Sequence, residues 1–197
     1  MTTANISATK DSWISADKTT TNNGSDTTLR VSTRRNNATP SVQGSSNSSV
    51  TSSKIAVCEV ALLGFNLDVI ELATSITSAT LYIYGGGSVI QAPAIQVCPI
   101  TDYTWTENGV TWANQPTHNP SIGSLDVYRK SIGTISHTID GSNHKWQTFD
   151  LTSYVRSQNA AAVEAEIMLY PHSGYQFTTL FDSRTGTNAP YIKTVYT

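Results

Sequence analysis

"VALLGFNLDVIELATSITSATLYIY", residues 60–84, holds the two patterns from which the chain is built. It opens on a short continuous apolar run and ends with Ala79, Leu81 and Ile83 at period two. Side chains on a strand alternate between faces, so such segments, separated by Gly, Pro, Asn and Ser clusters roughly every ten residues, mark an all-β chain. The same reading places strands at Ser12–Ser15, Thr28–Thr33, Lys54–Asn66, Ile76–Tyr84, Ala94–Ile100, Lys130–Ile135, Lys145–Asp150, Glu164–Pro171, Gln176–Phe181 and Tyr191–Tyr196. Roughly ten strands in an antiparallel two-sheet β-sandwich are expected. Little helix is expected beyond "DLTSYVRSQNA", where Thr152 can cap a short turn with Tyr154 and Val155 pointing inward. Gly85–Gly87 reads as a hairpin or bulge.

The 197 residues suit one domain spanning 1–197. Only 13% of residues are charged, against about 25% in ordinary soluble domains, so the surface must be made of Thr, Ser, Asn and Gly. Net charge is -2, and the basic cluster Arg34-Arg35 is too small to track phosphates. Nucleic acid is excluded as a partner on that ground. No stretch reaches the ~18 apolar residues of a membrane span, and "MTTANISATKDSWIS" lacks the basic and apolar regions of an export signal. The expectation is a chain that works outside cells, either excised from a secreted or cell-surface protein or carried on a virus particle. Residues 34–53, "RRNNATPSVQGSSNSSVTSS", read as a surface loop or exposed arm rather than an interdomain linker. Cys58 and Cys98 lie in apolar runs and read as free thiols packed as small hydrophobes, with a bridge open if their strands are neighbours. Two cysteines without a C-x-x-C pair do not make a zinc site.

"TWTENGVTWANQP", residues 104–116, raises the question of binding. Indoles with acids and amides between them suit a sugar-binding face, and they equally suit a sandwich core. Trp105, beside an Asn-Gly turn, is the candidate for stacking a sugar at the sandwich rim, with Asp102, Glu107 and Asn114 hydrogen-bonding hydroxyls. Trp112 and Trp146 are read as core plugs. His118, His137, His144 and His172 show no ligand spacing and read as solvated loop residues, so no metal catalysis is expected. Glu164 and Glu166 read as an exposed strand face, not an acid pair across a cleft. No nucleophile elbow or phosphate loop occurs, and the chain is read as non-enzymatic.

Four stretches together resemble the DNRLRE domain family. They are "GFNLDVIELATSITSATLYIY", "WTENGVTWANQP", "WQTFDLTSYV" and "FDSRTGTNAPYI", in that order from about Asp11 to the C-terminus. The resemblance implies a jelly-roll β-sandwich, related to carbohydrate-binding modules and found in surface proteins and phage structural proteins. Phe65, Asp68, Trp112, Trp146, Phe149, Asp150, Ser183, Arg184 and Pro190 stand at its motif positions as structural residues. Arg184 is expected to bridge loop carbonyls or a carboxylate such as Asp150 or Asp68. A structural calcium ion is expected only if Asp68, Asp182 or nearby carbonyls gather round one, and no other cofactor is expected. Residues 34–53 are longer and more Ser-rich than the family pattern.

Two functions compete on this reading. The first is a non-enzymatic attachment protein on the exterior of an assembled particle, a phage virion decoration or tail-associated protein partnered by copies of itself or other coat subunits. The second is a carbohydrate-binding module of a secreted or cell-surface protein, partnered by cell-surface or cell-wall glycans.

Overall fold

The computed structural model describes residues 1–35, 55–87, 94–116, 118–119, 124–125, 131–136, 144–171 and 177–197. Twelve strands are found among the described residues: β1 (Thr2–Ser15), β2 (Thr28–Arg35), β3 (Ile55–Phe65), β4 (Ile76–Gly86), β5 (Ala94–Pro99), β6 (His118–Asn119), β7 (Ser124–Leu125), β8 (Gly133–Ser136), β9 (Lys145–Asp150), β10 (Ala165–Pro171), β11 (Phe177–Asp182) and β12 (Tyr191–Tyr196). The one α-helix described, α1 (Thr152–Ala160), follows β9. Its first turn is fixed by Asp150 Oδ1, which accepts from the Thr152 N–H at 2.8 Å and from the Thr152 hydroxyl at 2.5 Å. The all-β, antiparallel and nearly helix-free expectation therefore holds.

The strands do not separate into two independent sheets. Ten of them form one antiparallel sheet in the order β1-β12-β4-β11-β2-β3-β10-β5-β8, with β9 added to β4. A further pairing of β1 with β3, from Ala8↔Phe65 to Ser15↔Glu59, closes β1, β12, β4, β11, β2 and β3 into a ring. Strand β3 makes this possible: its first part pairs with β2 and its second with both β1 and β10. At Gly85, a Cβ would stand 2.2 Å from the Leu180 carbonyl oxygen where β4 meets β11, so the glycine run serves close strand contact rather than a hairpin. Of the 34–53 stretch, Arg34 and Arg35 extend β2 and the remainder lies outside the described residues.

Burial explains the two sequence patterns. Inside the ring, Leu29, Val31, Ala61, Leu63, Phe65, Leu81, Ile83, Phe181 and Ile192 share one core. On the other side of β3 and β10, Val60, Leu62, Met168 and Tyr170 join Ile14, Cys98, Ile100, Trp105 and Val110 in a second apolar cluster. These strands are buried on both faces and therefore read as continuous apolar runs. Over its middle, strand β4 buries Ala79, Leu81 and Ile83 and leaves Thr80, Tyr82 and Tyr84 part-exposed, and so it alternates. Cys58 and Cys98 are free, because β10 stands between their strands.

Candidate functional site

The 101–116 segment is the roof of the second cluster. Trp105 is 6% exposed. Its indole N–H donates to Glu166 Oε2 at 2.7 Å, and the Lys10 ammonium lies 4.6 Å from the ring centroid. Lys10 also donates to the Trp105 carbonyl at 3.3 Å and pairs with Glu166 Oε1 at 2.5 Å. Burial pushes the Glu166 carboxyl above its ordinary range, against the lowering effect of Lys10 and the indole N–H. The exposed strand face expected for Glu166 is thus corrected, since its side chain is fully buried, while Glu164 remains part-exposed 3.5 Å from Lys10.

The acids and amides of this segment are engaged in the same way. Glu107 forms a two-point pair with the Arg184 guanidinium and accepts from the Asp11 N–H at 3.1 Å. Burial pushes Glu107 up, but Arg184 outweighs it and holds the carboxyl below its usual range. Asp11, buried beside this pair, accepts from the Arg184 backbone N–H at 2.6 Å, and its pKa is raised to about 6 by burial and the neighbouring Glu107 charge. Asn22 Nδ2 donates to the Glu107 and Val110 carbonyls at 2.7 and 2.8 Å, and a Cβ on Gly24 would meet the Glu107 carbonyl oxygen at 2.1 Å. Asp102 accepts from Thr104, and Asn114 closes the Thr111–Asn114 turn. Trp112 packs, partly buried, against the second cluster. A sugar-stacking rim at Trp105 is therefore corrected: the ring has no open face, and Asp102, Glu107 and Asn114 already bond within the protein.

The other structural motif residues are placed plainly. Phe65 is in the core, Phe149 packs against it, and Ser183 and Pro190 are buried. Arg184 reaches Glu107, not Asp150 or Asp68. Asp68 bonds to Asn66, and Asp182 accepts from Asn188. Among the described residues no three His, Cys, Asp or Glu side chains gather as metal ligands.

Trp146 overturns its core assignment. It is 41% exposed on the outer face of β9. Tyr82, Tyr84 and Tyr191 surround it with ring centroids at 6.4, 5.4 and 5.5 Å and interplanar angles of 71°, 69° and 70°. Tyr82 and Tyr191 stack on each other at 4.9 Å, and the exposed His144 sits edgewise 6.2 Å from Tyr84. Strand register builds this patch. Tyr82 and Tyr84 flank the inward Ile83, Tyr191 precedes the inward Ile192, and Trp146 lies opposite Tyr84 across the β4–β9 ladder. The ladders continue the face in two rows across β1, β12, β4 and β9: Ser7–Tyr191–Tyr82–Thr148 and Asn5–Lys193–Thr80–Asp150. Apart from Asp150, which holds Thr152 through Oδ1, no side chain in these rows, and neither Tyr84 nor Trp146, hydrogen-bonds to a described residue. Apolar ring faces beside unspent hydroxyl, amide and charged groups match a sugar, which carries C–H faces and a hydroxyl edge.

The model of carbohydrate-binding module family 96 matches residues 2–195. No curated protein matches the chain. The chain belongs to carbohydrate-binding module family 96.

Proposed function

We propose, from that membership, that the chain is a non-catalytic glycan-binding module and that its binding face is the outer surface of β1, β12, β4 and β9 centred on Trp146. One observation carries the placement. On three adjacent strands, the exposed Trp146 and three half-buried tyrosines form one surface cluster without a hydrogen bond to any described residue, while Trp105 is closed over. An exposed aromatic cluster costs solvation free energy, and a ligand that covers it regains that energy. Residues 1–197 then act as one module, related in its motifs to the jelly-roll DNRLRE domains. Its setting is the exterior of a cell or particle, where polysaccharide is met. The family match supports the glycan-binding reading over the virion decoration reading, for which nothing in the fold or the family speaks.

Native gels cast with cellulose derivatives, xylan, mannan, pectate or alginate test the proposal. The wild-type chain is expected to be retarded by at least one of them and the folded Trp146→Ala variant by none. Equal retardation of the two in every gel that slows the wild type would place binding elsewhere.

A further inference from the structure

The arrangement of the polar residues says how a glycan lies on this face, an inference that rests on the glycan-binding reading above. Strand neighbours stand ~4.8 Å apart, so a row across four strands spans ~14 Å. That is the length of a short oligosaccharide, not of one sugar. The aromatic groups are confined to one band, with Tyr84 and Trp146 beside Tyr82 and Tyr191. The next row along the strands is entirely polar: Asn5, Lys193, Thr80 and Asp150, one residue from each strand. Band and row both run across the strands.

Neither edge of the face carries a further ladder partner among the described residues, although β8 touches β9 on its inner side, Gly133 against the Phe149 ring. Strand β9 pairs with β4 alone, and residues 2–7 of β1 pair with β12 alone. Asn5 and Ser7 at one edge and Thr148 and Asp150 at the other are all exposed. The shallow cavity lined by Asn66, Asp68, Glu71, Asn159 and Glu164 shares no residue with the face.

We infer that the module binds an internal stretch of an extended glycan chain that crosses β1, β12, β4 and β9, rather than a terminal sugar. Its C–H faces rest on the aromatic band, and its hydroxyl edge is read by Asn5, Lys193, Thr80 and Asp150. The chain leaves the face at both edges, so neither of its ends is recognised. Thr80, in the middle of the row, contacts every bound chain long enough to stack on Trp146, whereas Asn5, at its end, contacts only those that span the sheet.

Calorimetric titration with oligosaccharides of graded length, prepared by partial hydrolysis of each polysaccharide in the panel above, tests this. Affinity is expected to rise with length until the chain spans the row and then to level off, and reduction of the terminal sugar to an alditol is expected to leave it unchanged. Thr80→Val is expected to lower affinity for all binding chains, and Asn5→Ala only for the longer ones, each by about threefold to tenfold, the worth of one hydrogen bond. A single sugar that binds as tightly as a long chain, or loss of binding on end reduction, overturns the crossing geometry. So do row variants without effect at any length. If Trp146→Ala still abolishes binding in those cases, the glycan-binding face stands and only the crossing falls. If no chain of the panel binds, the glycan reading falls and takes the inference with it.

Discussion

Trp105 and Trp146 lie in similar company, each with acids, hydroxyls and amides close by, yet one is a building element and the other an open surface. Around Trp105, Lys10, Glu107, Glu166 and Arg184 are bonded to one another, to the indole N–H or to backbone. Around Trp146, the phenols, Thr80, Thr148, Asn5 and Lys193 bond to no described residue. Burial and internal hydrogen bonding, not composition, separate the two: the fold spends the polar groups around Trp105 and leaves those around Trp146 unspent. The two strands of the quoted stretch show why. Strand β3 is covered on both sides, by the ring core and by the 101–116 roof, while β4 is covered on one side only.

Substitutions can break this contrast, and the largest effect belongs to the roof. Trp105→Ala removes a buried indole and takes its N–H from Glu166 Oε2, and is expected to cost roughly 3–5 kcal/mol in urea unfolding. A stable Trp105→Ala chain that had lost glycan binding would reverse the two assignments. Lys10→Met keeps the aliphatic stem but leaves a buried carboxylate without its cation, an expected loss of about 3 kcal/mol at neutral pH. Because removal of Lys10 raises the Glu166 pKa further, that loss is expected to shrink as pH falls and Glu166 takes up a proton.

Asp11 sharpens the contrast through pH. Its folded pKa, about 6, lies above the ordinary 3.8, so the stability it contributes is present below about pH 4 and is lost as pH rises through 6. Glu107, held low by Arg184, works with the opposite sign, its contribution being lost only as pH falls through the low folded value. Comparing urea midpoints from pH 4 to 7, the wild type is expected to lose roughly 2–3 kcal/mol relative to Asp11→Asn. Parallel profiles for the two proteins would show that this buried carboxyl does not hold its proton. The smallest stability effect belongs to the open face. Trp146→Ala forfeits only partly exposed ring contacts and is expected to cost about 1 kcal/mol while removing glycan retardation. A loss as large as that of Trp105→Ala would make Trp146 a core residue after all.

The fold class was readable in the sequence because strand burial writes itself as period two or as an apolar run. Ring closure was not, since it depends on β3 changing partners along its length, which no local pattern records. The roof was misread because its partners lie far off in the chain: Asp11 is 96 residues from Glu107, and Arg184 is 77. The open aromatic face left a signal that parity exposes. In "KWQTFD", Trp146 and Phe149 are three positions apart on one strand and must point to opposite sides. With Phe149 packed on the ring core, Trp146 faces out. Tyr82, Tyr84 and Tyr191 have the same outward parity relative to Leu81, Ile83 and Ile192, although their meeting on one face needed the register of β4, β9 and β12.

On the proposed face, a bound glycan meets Trp146 and not Trp105. Indole N–H resonances of protein labelled with nitrogen-15 report on each tryptophan separately, and Trp146→Phe and Trp105→Phe assign them. On titration with an oligosaccharide of the polysaccharide that retards the protein, the Trp146 signal is expected to move to saturation while the Trp105 signal, bonded to Glu166, stays in place. Movement of the Trp105 signal with Trp146 unchanged would contradict the account.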